Sequence, residues 1–83
     1  MKIIFTVQAL EEYLSWGKDA KTLKRIHQLL QDMTRGGHAG TGKPESLKGD
    51  LSGFWSRRID TKNRLVYSIT DDAIEIIQCR GHY

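Results

Sequence analysis

The spacing of hydrophobic and polar residues changes twice along this chain, and each change predicts a different kind of element. Lys2 to Phe5 is a short apolar run that reads as a strand at one side of a sheet. Thr6 follows as a helix N-cap, with Phe5 before it and Leu10 placed to close a hydrophobic staple. Val7, Leu10 and Leu14, joined around the cylinder by Tyr13 and Trp16, then recur at helical spacing, while Gln8, Glu11, Glu12 and Ser15 are expected to face solvent. Gly17 caps this helix and Asp19 opens another, so a helical hairpin is expected. In the second helix Leu23, Ile26, Leu30 and Met33 lie three or four residues apart, Leu29 widens the stripe, and Gly36 and Gly37 end it. His27, beside that stripe, reads as a packed or surface residue.

From Gly36 to Gly53 the period disappears, and this stretch holds six of the eight glycines and the only proline. So long a connection in a small domain is usually functional or disordered. Its middle, Pro44 to Lys48, can still add a short extended segment to the sheet, and His38, set among glycines, is expected at the surface. Beyond it, Phe54 to Ile59, Arg64 to Thr70 and Ala73 to Arg80 are rich in aromatic and β-branched residues and are separated by DTKN and DD turns. They predict an antiparallel meander. A tight turn at Asp71 and Asp72 sets Ile69 opposite Ile74, Tyr67 opposite Ile76 and Leu65 opposite Gln78, leaving one apolar face for the hairpin to cover. The same register gives Arg64 the face of Tyr83 and turns His82 to the other, unless a bulge or the strand's end re-aims it. The expected fold class is α+β, a helical hairpin packed on a small antiparallel β-sheet, as one domain over residues 1–83.

Composition narrows the partners more than the fold. A chain of 83 residues supports one core, and 39% hydrophobic with 28% charged residues excludes a disordered or membrane-spanning protein. No apolar run approaches the roughly 20 residues of a spanning helix. The first residues are too interrupted and acidic for a signal peptide, so a cytoplasmic location is expected. Cys79 is the only cysteine, which rules out an internal disulfide and reads as a small buried side chain. The net charge of +3 favours an anionic partner, nucleic acid or an acidic protein. Lys21, Lys24, Arg25 and Arg35 on the outer side of the second helix are either a solvated face or a phosphate-facing patch.

The stretch from Lys43 to Arg64 carries the candidate chemistry. Cutting RNA calls for a base that takes the proton of a 2'-hydroxyl, cations around the phosphate and an acid for the leaving 5'-oxygen; no metal or other cofactor is required. Glu45, between Lys43 and Lys48, is the candidate base. Arg58 and Arg64 offer planar forks that match phosphate oxygens. His82 is the candidate acid, imidazole being the side chain whose charge changes near neutrality. Tyr83 is placed to orient the phosphate or share the acid role, and Phe54 or Trp55 to stack on a base. Each has a plainer reading: a solvated Lys-Pro-Glu loop, Arg57 and Arg58 on an exposed strand edge, aromatics in the core, a frayed tail. By themselves, composition and spacing support a basic α+β domain with an anion site.

The run GKPESLKGDLSGFWSRRIDTKNRLVYSITDD, with CRGHY at the carboxyl end, closely resembles the YoeB/Txe family of bacterial toxins within the wider RelE group. The likeness covers the whole chain. It implies a microbial ribonuclease-like α+β fold and the toxin of a type II toxin-antitoxin pair, an endoribonuclease that cuts messenger RNA in the ribosomal A site without a metal. Position by position, Glu45 matches the family's general base, Arg64 its phosphate-stabilising arginine and His82 its general acid, while Lys48, Arg58 and Tyr83 match supporting positions. The implied partners are a YefM-like antitoxin, mRNA and the ribosome with its rRNA, a second toxin in a homodimer, and operator DNA only through the antitoxin; no membrane is involved. A module that binds RNA or the ribosome without cutting, and a co-repressor acting with the antitoxin, are the alternatives. Gly81, between Arg80 and His82, departs from the family pattern and is expected to loosen the His82 backbone.

Overall fold

The computed structural model describes residues 1–82. In chain order it forms β1 (Lys2–Phe5), α1 (Val7–Ser15), α2 (Ala20–Gly36), β2 (Glu45–Ser46), a single 3-10 turn (Gly49–Leu51), β3 (Trp55–Arg58), β4 (Arg64–Ile69) and β5 (Ala73–Gln78). The five strands make one sheet in the order β1-β5-β4-β3-β2. Strands β3 to β5 form the antiparallel meander that the turn signals predict, and β2 adds to it antiparallel beside β3. The first strand instead returns parallel beside β5, Ile3 opposite Ile74 and Phe5 opposite Ile76, so the sheet is mixed.

Local sequence explains the helix boundaries. Thr6 Oγ1 accepts the Ala9 N–H at 3.1 Å and opens α1, and Asp19 Oδ1 accepts the Thr22 N–H at 3.0 Å and opens α2. Gly37, at φ 63°, closes α2 with its N–H on Met33 O. On α2 the predicted stripe is the buried one: Ile26, Leu29, Leu30 and Met33 join Leu65, Tyr67, Ile74, Ile76 and Cys79 in the core.

The stripe expected on α1 holds at Tyr13 and Trp16 and fails at Val7, Leu10 and Leu14. Val7 is 76% exposed and Leu14 64%, whereas Ala9 is fully buried and Tyr13 and Trp16 are the aromatics that pack inward. Nine residues present two apolar stripes, and the one that touches the sheet is the one anchored by long-range partners. Phe5 lies 5.5 Å from the Tyr13 ring, and Trp16 Nε1 donates to Cys79 O. Glu12 also turns toward the sheet rather than to solvent, its Oε1 accepting the Cys79 N–H at 2.9 Å. Cys79 itself is buried, and burial, with Glu12 nearby, pushes its thiol up to about 12, which keeps it inert.

The meander departs from the predicted register at one point. Ile69 faces Ile74 and Tyr67 faces Ile76, but Val66, not Leu65, faces Gln78. One extra residue on β5, Ile77, makes this bulge, and it turns Cys79 to the helix side. The opposite side of the sheet carries Glu45, Ser56, Val66 and Gln78 in one cross-strand row, with Arg58 paired to Arg64 beside it.

Candidate active site on the open face of the sheet

Three of the predicted site residues come together on that open face. A small cleft of about 90 Å³ is lined by Lys43, Glu45, Ser56, Arg58 and Arg64, with scarcely any apolar surface. Pairing explains the grouping: Glu45 sits opposite Ser56 on β3, and Arg58, two residues along, sits opposite Arg64 on β4. One carboxylate therefore shares the cleft with two guanidinium groups, Arg58 one strand away and Arg64 two.

Arg64 is 9% exposed and is oriented before any ligand arrives. Its Nη1 donates to Asp60 O at 2.9 Å and Asn63 O at 3.2 Å, which leaves the other nitrogens, among the described residues, for an incoming anion. Arg58 is exposed on the strand, and its backbone is fixed on both sides, its N–H on Gly42 O at 2.7 Å and its carbonyl accepting from Arg25 Nη2.

The carboxyl-terminal tail runs beside Arg64. The Arg64 N–H donates to Gly81 O at 2.9 Å, Gln78 Nε2 donates to the same oxygen at 3.1 Å, and the Gly81 N–H donates to Asn63 Oδ1 at 2.7 Å. The exposed His82 follows directly. Far from loosening the backbone, Gly81 takes φ +88°, a conformation other residues resist, and is held at both its N–H and its C=O. Of the other two supporting residues, Lys48 is not in the cleft lining. Lys48 is exposed at the N-terminus of the 3-10 turn, and Tyr83 lies outside the described residues. Trp55 belongs to the helix side, stacked on His38 at 4.0 Å, so it offers no platform in this cleft.

Sequence reasoning missed Arg57. Instead of lining an exposed edge it is fully buried on the helix side, with all its nitrogens engaged. Nε donates to Tyr67 OH at 3.0 Å, Nη1 to Asp32 Oδ2 at 2.7 Å and Thr41 O at 3.2 Å, and Nη2 to Gly37 O at 2.6 Å and Ala39 O at 2.9 Å. One side chain thus gathers the glycine-rich loop that delivers Lys43 and Glu45. Gly40 is required there because a Cβ at that position would collide with the Asp32 carboxylate. The Thr41 N–H and then the Arg57 guanidinium hold Asp32 below the usual carboxylate range. His38, expected at the surface, is half-buried against Trp55 with its Nδ1 buried and unpaired. Alternation alone predicts the inward turn of Arg57, since Trp55 and Arg57 share a parity.

Among the described residues no three His, Cys, Asp or Glu side chains form a metal-binding group, and no helix is long and apolar enough to cross a membrane.

The two-helix layer over a mixed five-stranded sheet, with a polar, arginine-lined cleft on the uncovered face, places the protein among small bacterial toxins. A solved YoeB/ParE toxin from Agrobacterium tumefaciens superposes with a TM-score of 0.95 at 42% identity over 100% of both chains. A curated toxin YoeB from Streptomyces coelicolor is 54% identical over 100% of both chains. The YoeB of a heterotetrameric YoeB-YefM complex from Staphylococcus aureus matches with a TM-score of 0.93 at 44% identity, covering 100% of this chain and 98% of that one. A YoeB dimer from the same organism gives the same figures, TM-score 0.93 and 44% identity. Residues 5–83 match the YoeB-like toxin of bacterial type II toxin-antitoxin systems, and the chain belongs to that family.

Proposed function

We propose that this toxin is an endoribonuclease that cuts messenger RNA in the ribosomal A site and so stops translation in the cytoplasm. The observation that supports it most directly is the cleft in which Glu45 faces Arg58 and Arg64, with the Gly81–His82 tail bonded alongside. The Glu45 carboxylate takes the proton of a 2'-hydroxyl, and that oxygen attacks the adjacent phosphorus. Arg64 and Arg58 hold the charge that grows on the non-bridging oxygens. The bond from phosphorus to the 5'-oxygen breaks, the His82 imidazolium gives its proton to that oxygen, and a 2',3'-cyclic phosphate remains. Side chains supply both proton transfers, so no step calls on a metal. Lys48 adds positive charge along the RNA backbone, and Tyr83 acts beside His82 on the same phosphate.

A YefM-like antitoxin is the partner that blocks this cleft, and operator DNA is reached only through it. The S. aureus relatives assemble both with YefM and as a toxin dimer, which supports the same two assemblies here.

The test is to incubate the protein with programmed ribosomes and with naked message and to map the 5' ends. Cleavage within the A-site codon is expected, with His82→Gln and Arg64→Ala each slower by about 10² or more. Variants that cut as fast as the wild type would overturn the mechanism. Ribosome binding that arrests translation without any new 5' end would favour the non-cutting module.

A further inference from the structure

The proposed acid is exposed and lies beyond β5 outside any helix or strand, where a catalytic side chain needs something to hold its backbone. The tie is visible one residue before it. Asn63, in the turn between β3 and β4, spends its side-chain amide in two directions. Its Nδ2 donates to Asp60 Oδ1 at 3.1 Å and Oδ2 at 3.0 Å, and its Oδ1 accepts the Gly81 N–H at 2.7 Å. The next residue along, Arg64, takes Gly81 O with its own N–H at 2.9 Å. Asn63 thus fixes the peptide plane that enters Gly81, and Arg64 with Gln78 fixes the plane that leads from it into His82, so the two bonds together set both dihedrals of Gly81.

We propose that Asn63 is a positioning residue for His82: its amide clamps Gly81 to the turn that also aims Arg64, so that acid and phosphate-binding arginine share one mount. The proposal rests on the ribonuclease reading above. The turn is a good anchor because Asp60 Oδ1 also accepts the Lys62 and Asn63 N–H groups at 2.8 and 2.7 Å. Burial pushes the Asp60 carboxyl up, but these bonds, that of the Asn63 side chain first, outweigh it and hold the group below its usual range. The carboxylate thus stays charged and the turn stays closed at neutral pH. Glycine at position 81 gives the tail the freedom to reach φ +88°, and the same freedom makes it wander once the clamp is gone.

The test separates placement of the acid from support of the fold. Two programmed messages are compared, one normal and one with sulfur in place of the leaving 5'-oxygen; a thiolate departs without a proton, so the acid is not needed. Asn63→Ala is expected to lower kcat on the normal message by roughly ten- to a hundredfold with KM little changed, since a small misplacement of a catalytic group is that harmful. On the sulfur message the deficit should nearly vanish, as it should for His82→Gln. Arg57→Leu loosens the loop that carries Glu45 but touches neither Asn63 nor Gly81, and any loss it shows should be equal on both messages. In parallel, the Gly81 amide should exchange slowly in the wild type and in Arg57→Leu, and fast in Asn63→Ala. The proposal is overturned if the Asn63→Ala deficit is the same on both messages, if Arg57→Leu reproduces its profile, or if the wild-type Gly81 amide exchanges freely. A wild type that cuts neither message while Gly81 stays protected would remove the ribonuclease reading and this role with it; the protected amide would show that the chemistry, not the clamp, had failed.

Discussion

His38 shows how one residue can carry charge information that its surroundings in sequence conceal. It lies between glycines, yet its ring stacks on Trp55 at 4.0 Å with Nδ1 buried and unpaired. Burial, and secondarily the Arg57 guanidinium, hold its pKa below the ordinary value. The folded state therefore prefers neutral imidazole, while the unfolded chain takes up a proton near pH ~6.5. The stability this difference contributes is fully present above that pH and is lost as pH falls through the lower, folded value. Asp19, Asp32 and Asp60 are all held below the usual carboxylate range, so their transitions lie further into acid. His38→Phe keeps the stack and removes the titration. We expect the melting temperature of the wild type to fall between pH 7 and 5.5 and that of His38→Phe to fall less. At pH 7 the variant should be more stable by about 1 kcal/mol, because an unpaired buried nitrogen has gone. Equal slopes for the two proteins would mean that the stack does not keep His38 neutral.

At the scale of elements, the loop after α2 is ordered by β3 rather than by itself. Arg57→Leu keeps the volume buried but removes every bond to Gly37, Ala39 and Thr41 carbonyls and strands the Tyr67 hydroxyl. A loss of about 1–3 kcal/mol is expected in urea denaturation, with protease sites opening between residues 37 and 42. A variant as stable and as protease-resistant as the wild type would show that the loop holds without the staple. The helices, the meander and the cleft strands were legible because caps, turns and period-two runs are local signals. What was not legible depends on distant partners. On α1 the sequence offers Val7, Leu10 and Leu14 beside Tyr13 and Trp16, and only packing against β5 and β1 turns Ala9 inward with the two aromatics and leaves the three aliphatics exposed. Parallel pairing of β1 has no turn to announce it. The bulge at Ile77 did leave a mark: apolar core positions run 74, 76 and then 79, a change of parity that points to one extra residue and argues against the Leu65–Gln78 pairing. Glu45, Arg58 and Arg64 could be named from the family motif, but the staple and the tail clamp use Arg57, Asn63 and Gly81, whose roles exist only once the chain has folded.

Across the whole molecule, the helix layer and the open sheet face divide the work. The cleft of about 90 Å³ is sized for a phosphate and its neighbours, so on the proposed reading attraction to ribosomal RNA draws on charge elsewhere on the surface as well. The helical side offers it. Lys21 and Lys24 are exposed near the start of α2; Lys21 and Arg25 also line a groove of about 320 Å³, where Asp19 and Asp60 offset their charge. Arg25 is a poor probe of this patch, because its Nη2 already bonds Arg58 O and its loss would disturb a site strand. Lys21 and Lys24 make no such bond among the described residues. If they meet ribosomal RNA phosphates, the Lys21→Ala, Lys24→Ala double variant should bind ribosomes more weakly at low salt. The slope of log K against log salt should then flatten by about 2, roughly 0.9 for each phosphate that a lysine no longer neutralises. The salt slope carries the decision, since a general loss of fold would lower affinity at every salt concentration without changing it. An unchanged slope would assign both lysines to solvent and shift the search for the ribosome-facing charge to the sheet side, around Lys43, Lys48 and Arg58.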